Sequence, residues 1–79
     1  MQRYVIKFIE PDGKSHLEEN INFETQERAK LYIDYYNSQI MCDMRFDIVY
    51  MDIEKENIEK SVFYNKCVDD FIKEIKGVQ

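Results

Sequence analysis

Tyr4-Val5-Ile6-Lys7-Phe8-Ile9, followed by Glu10-Pro11-Asp12-Gly13-Lys14 and an alternating run from Leu17 to Phe23, decides the fold. A β-branched and aromatic segment, a cluster of turn residues and a second alternating segment predict a β-hairpin. Each turn residue has a physical role. Pro11 presets φ for the first turn position, Asp12 can hydrogen-bond its own backbone, and Gly13 takes the positive φ that closes the loop.

Beyond the hairpin, Phe23-Glu24-Thr25 leads into Gln26-Glu27-Arg28-Ala29. Thr25 can cap a helix and Glu27 suits its first turn, where the helix dipole favours an acid. Ala29, Tyr32, Ile33, Tyr36 and Ile40 recur at helical spacing, with Lys30, Asp34 and Asn37 on the other side. The spacing predicts a helix ending around Gln39 to Met41. Leu31 and Tyr35 fall off its apolar stripe, so an exposed tyrosine beside acids is expected there, a feature of protein-contact surfaces.

In Met44 to Ile53, Phe46, Ile48 and Tyr50 stand at period two against Arg45 and Asp47, which predicts a strand. Two readings then compete for the residues that follow. Glu54-Lys55-Glu56-Asn57 can turn into a further strand over Ile58 to Tyr64, or start one long helix reaching Lys76. The cluster Val62-Phe63-Tyr64 and the turn tolerance of Asn57 favour the strand. From Asn65 or Lys66 onward Val68, Phe71, Ile72 and Ile75 repeat the stripe of the first helix, and Gly77 supplies a stop. The expected architecture is α+β, a small antiparallel sheet with two helices on one face, arranged as a duplicated ββα unit (ββαββα) in one domain spanning residues 1–79. Phe8, Ile33, Tyr36, Ile48 and Phe71 are its expected core.

Composition narrows the function. The chain has 79 residues, a hydrophobic fraction of 44%, an aromatic fraction of 14% and 34% charge, which suits a folded domain so small that a partner would help stabilise it. No apolar run approaches a membrane span, and the first residues lack the basic-then-apolar order of a signal peptide, so a cytoplasmic location is expected. The net charge of −5 and pI near 4.8 argue against direct nucleic-acid binding, which needs clustered Lys and Arg, and favour a protein partner with a basic surface.

The residues that carry chemistry are few. His16 is the only histidine, Cys42 and Cys67 have no CxxC spacing, and the glycines belong to a turn and a helix end. No nucleophile–base pair, metal-ligand spacing or phosphate loop follows, so neither catalysis nor a cofactor or metal is expected. The acids are more informative. Asp52, Glu54 and Glu56 lie two residues apart, and on a continuing strand they would project at intervals of roughly 7 Å, comparable with successive phosphates of a DNA strand. The competing explanation is that charge keeps a loop and a sheet edge soluble.

The far face of the sheet would carry Val5, Lys7, Ile9, Arg45, Asp47, Val49, Met51 and Ile53, more apolar than a plain solvated face. The candidate partner-binding residues are therefore Asp52, Glu54, Glu56, Tyr35, Val49, Met51 and Ile53. In size, acidity and its lysine-, isoleucine- and tyrosine-rich composition, the chain resembles the small orphan proteins of bacteriophages and mobile elements, anti-CRISPR inhibitors among them. The resemblance implies a non-catalytic inhibitor of a nucleic-acid-processing defence enzyme, and it carries no residue assignments. The alternative is a homodimeric structural or assembly protein pairing through the exposed sheet face.

Overall fold

The computed structural model describes residues 1–39 and 44–76, so the expectations attached to Ile40, Met41, Cys42 and Gly77 lie outside the described residues. The elements are β1 (Gln2–Ile9), β2 (Ser15–Phe23), α1 (Gln26–Gln39), β3 (Arg45–Asp52), α2 (Lys55–Lys60) and α3 (Val62–Ile75). The fold is α+β. Its three strands form an antiparallel sheet in the order β2-β1-β3, with α1 and α3 packed on the face that carries Ile6 and Phe8.

The hairpin closes as its residues dictate. Gly13 has φ 92°, its N–H donates to the Glu10 carbonyl at 2.9 Å, and the Lys14 N–H donates to Asp12 Oδ1 at 2.9 Å. β2 and β3 both run antiparallel to β1 and flank it, so they are parallel to each other. Parallel strands need a long crossover, and α1 supplies it. The helix begins at Thr25, whose Oγ1 accepts the Arg28 N–H at 3.2 Å.

β2 is less regular than its alternation implies. Its register passes from Lys7↔Leu17 to Val5↔Asn22, so Glu18, Glu19, Asn20 and Ile21 stand opposite Ile6 alone. Asn22 holds this wide bulge. Its side chain, at 0% exposure, donates to the Glu19 carbonyl (2.7 Å) and to the Asn57 carbonyl of α2 (3.1 Å), and its Oδ1 accepts from Arg3 Nε (2.9 Å). A buried amide with its donors and acceptor engaged joins β1, β2 and α2 at one point.

Ile58 to Tyr64 is helical, where a strand was expected, and among the described residues no second hairpin forms. The second half keeps the order of strand before helix, but its helices follow β3 directly. The helical reading from Glu54 to Lys76 is the closer one, with α2 and α3 meeting at Ser61 in αR geometry. Ile58, Ser61, Asn65, Val68 and Ile72 recur at helical spacing, and all are buried or half-buried. Two of the five are polar, which conceals the stripe. Ser61 Oγ donates to the Ile58 carbonyl at 2.6 Å, and Asn65 Nδ2 donates to the Asn22 and Ser61 carbonyls at 3.0 Å each. Arg28 ties α1 to the same helix through Asn65 and through Asp69 Oδ1 at 2.8 Å.

The core consists of Ile6, Phe8, Ile21, Phe23, Ala29, Tyr32 and Val68, with Tyr4, Leu31, Ile33, Tyr35, Tyr36, Phe46, Ile48, Tyr64 and Ile72 packed around it. Tyr32 is its aromatic centre, with ring centroids of Phe23 at 5.4 Å and Tyr64 at 5.9 Å. Burial, and next to it the neighbouring Tyr64 phenol, pushes the Tyr32 phenol up to about 12. Phe71 is only half-buried and Ile75 is 57% exposed, so the α3 stripe leaves the core towards its end.

Candidate protein-binding surface

The expected split of the sheet holds in phase. Tyr4, Ile6, Phe8, Phe46 and Ile48 face the helices, and Val5, Lys7, Val49 and Met51 face away. Tyr50 shares the helix side but lies beyond the cover of the helices. It is 59% exposed and leans on Tyr4 at a centroid distance of 4.6 Å.

Of the expected contact residues, Val49 and Met51 sit half-buried on the face turned away from α1 and α3, a face that is itself partly covered, since Val5 beside Val49 is 0% exposed and Asn22 beside Val5 bonds to α2. Ile53 is 1% exposed and forms part of the interior, so it supports that face and is not available to touch a partner. Tyr35 is also corrected. It is half-buried between α1 and α3, its ring 6.0 Å from Tyr32 and 5.8 Å from Phe71, on the opposite side of the sheet from Val49 and Met51. The adjacent Cys67 thiol, with burial second, raises its phenol above the ordinary value.

Asp52, Glu54 and Glu56 are all exposed, but they do not form an extended row. The strand stops at Asp52, whose Oδ1 accepts from the Met1 nitrogen at 2.7 Å. Glu54 is the residue before α2, with φ −68° and ψ 148°. Glu56 lies in the first turn of α2, 3.6 Å from Lys60 Nζ. The regular phosphate-like spacing is therefore lost, because the last of the three residues is helical. Acids at the start of a helix complement its dipole, so Glu54 and Glu56 also help begin α2.

The sequence reading missed the apolar side chains that flank these acids. Val62 is 66% and Phe63 is 67% exposed at the start of α3, and Tyr50 precedes the acids on β3. The signal was present in the helical stripe from Ile58 to Ile72, which leaves Val62 and Phe63 on the outer side. Tyr50, Asp52, Glu54, Glu56, Glu59, Val62 and Phe63 thus form one stretch of chain, exposed at each of these positions.

Among the described residues the reactive groups do not converge. His16 is exposed, stacked on Phe8 at 5.2 Å, with Glu18 Oε1 3.8 Å from Nε2. Cys67 lies on α3 in the helix layer. Among the described residues no group of three or more His, Cys, Asp or Glu side chains could hold a metal ion, and no helix is long and apolar enough to cross a membrane. In comparisons with known proteins, no family model, curated protein or solved structure matches the chain.

Proposed function

We propose that the protein is a non-catalytic binding module that docks on a basic protein surface, and that it acts in the cytoplasm as an inhibitor of a nucleic-acid-processing defence enzyme of the CRISPR type. The observation that carries this reading is the segment from Tyr50 to Phe63, in which the exposed acids Asp52, Glu54, Glu56 and Glu59 lie in sequence between the exposed side chains of Tyr50, Val62 and Phe63. Aromatic anchors bordered by charge are what tight protein contacts use. A net charge of −5 adds long-range attraction towards a groove built to hold phosphates. The reading rests on that charge and on the anchors, not on one-for-one imitation of a DNA strand.

The test is DNA cleavage by a panel of purified CRISPR nucleases in the presence of the protein. Loss of cleavage by a member of the panel, fading as salt is raised, is the expected outcome. Unimpaired cleavage across the panel, or retention of the protein itself on duplex DNA, contradicts the proposal. Half-buried Val49 and Met51 favour a second reading, an assembly protein that pairs with itself through the open sheet face.

A further inference from the structure

The two edges of the sheet are treated differently. β2 is broken by its bulge and flanked by α2 at the Asn22–Asn57 hydrogen bond, devices that blunt an edge. β3 pairs with β1 without interruption, from Gln2↔Asp52 to Ile9↔Arg45, and among the described residues no strand lies on its outer side.

The hydrogen-bond phase of β3 follows from its last pair. The Ile53 N–H donates to the Met1 carbonyl at 2.8 Å, and the Met1 nitrogen donates to the Ile53 carbonyl at 3.3 Å. Antiparallel pairs alternate between those that exchange both bonds and those that exchange none. Met51, Val49, Asp47 and Arg45 therefore spend their backbone groups on β1. Phe46, Ile48, Tyr50 and Asp52 turn theirs outward. This is an unpaired template for another strand, and Tyr50 stands exposed on it.

We propose that the occupant of this edge is a second copy of the chain, joined β3 to β3 in an antiparallel, two-fold pairing that makes one continuous sheet. A two-fold axis perpendicular to the sheet puts both helix layers on the same side, so outward-bonding residues meet outward-bonding residues. Centred on Ile48, the pairing sets Ile48 against Ile48 of the second copy and Phe46 against its Tyr50, twice over. Aromatic and β-branched cross-strand pairs are among the stabilising ones. On the open face Asp47 meets Val49 of the second copy, with Lys7 of its own β1 opposite it on the other side. Sliding the register to centre on Val49 breaks both Phe46–Tyr50 pairs and sets Phe46 against the Asp52 carboxylate within the strand, whereas the Ile48 centre leaves Asp52 opposite Met44, outside β3, which selects the Ile48 centre. The two copies of Asp52 then lie about 26 Å apart, from a rise of ~3.3 Å per residue, so the dimer carries one acidic stretch at each end of the new strand pair. The inference stands apart from the identity of any target enzyme.

Sedimentation equilibrium of the purified protein from micromolar to millimolar concentration, with amide hydrogen exchange at both extremes, tests it. The expected result is a concentration-dependent dimer in which the Phe46, Ile48 and Tyr50 amides become protected. In dilute monomer these amides exchange fast while Asp47, Val49 and Met51 stay protected. Tyr50→Lys and Tyr50→Pro act at an exposed side chain and an outward N–H, so the monomer fold is retained; each occurs twice in a two-fold interface and should weaken association roughly ten- to hundredfold. A mass of 9.6 kDa at every concentration overturns the inference. So does a dimer that both variants leave intact, or fast exchange of the three outward amides within a dimer.

Discussion

Replacing Asn22 by Leu tests the point where the sheet, its bulge and α2 are joined. Leu has the same branched skeleton and no polar atoms, though its methyl groups are bulkier, so the carbonyls of Glu19 and Asn57 lose their donor and Arg3 Nε loses its acceptor. Each orphaned buried group costs about 1–3 kcal/mol, but Glu19 is exposed and Arg3 is half-exposed, so water replaces part of the loss and the net cost is about 2–4 kcal/mol. At ~0.05–0.15 kcal/mol per residue, a chain of 79 residues has about 4–12 kcal/mol in all. Urea denaturation should show the midpoint falling sharply with little change in slope. Asn20→Ala, on the same bulge but outside the network, should stay within about 0.5 kcal/mol of wild type. A loss below about 0.5 kcal/mol for Asn22→Leu would refute the view that this side chain pins the bulge and α2.

The core makes a second prediction. Val68, fully buried, should cost about 2–3 kcal/mol as Val68→Ala, whereas half-buried Phe71 should cost only about 1 kcal/mol as Phe71→Ala; equal losses in urea would show that α3 is packed about a different face. The third concerns alkali. The unfolded chain releases the Tyr32 proton near 10.0 and the folded protein holds it to about 12, so this stabilisation is complete below pH 10 and is lost as pH rises through that interval. Stability followed by circular dichroism should fall more steeply there for wild type than for Tyr32→Phe, and parallel curves would count against a buried phenol.

The first half of the chain was legible because its signals are local and agree: the Pro11-Asp12-Gly13 turn, the Thr25 cap and the Ala29-Tyr32-Tyr36 stripe each form as read. The bulge at Glu18 to Ile21 was not legible. It depends on Asn22 reaching Asn57, 35 residues away in the chain. Val62-Phe63-Tyr64 looked like a strand because β propensity reflects a half-buried pleated surface, while here the local bond of Ser61 to the Ile58 carbonyl and the long-range bond of Asn65 to the Asn22 carbonyl permit a helix with a partly polar inner face. The same polar stripe hid the exposure of Val62 and Phe63. Asp52, Glu54 and Glu56 were rightly read as exposed, but their shared direction required a strand that ends at Asp52.

The central claim is that an acidic, aromatic-flanked stretch binds a basic partner. Its most direct measurement is the dissociation constant for an inhibited nuclease as a function of salt, for wild type and for Asp52→Asn/Glu54→Gln/Glu56→Gln. Neutral amides are preferable to Lys here, because Glu54 and Glu56 sit at the start of α2 and reversed charges there would oppose the helix dipole. The account predicts that wild-type binding weakens steeply with salt, and that the triple variant binds more weakly and less salt-dependently at a thermal midpoint within a few degrees of wild type. Binding indifferent to salt and to all three changes would contradict it and shift the contact to the open face around Val49 and Met51.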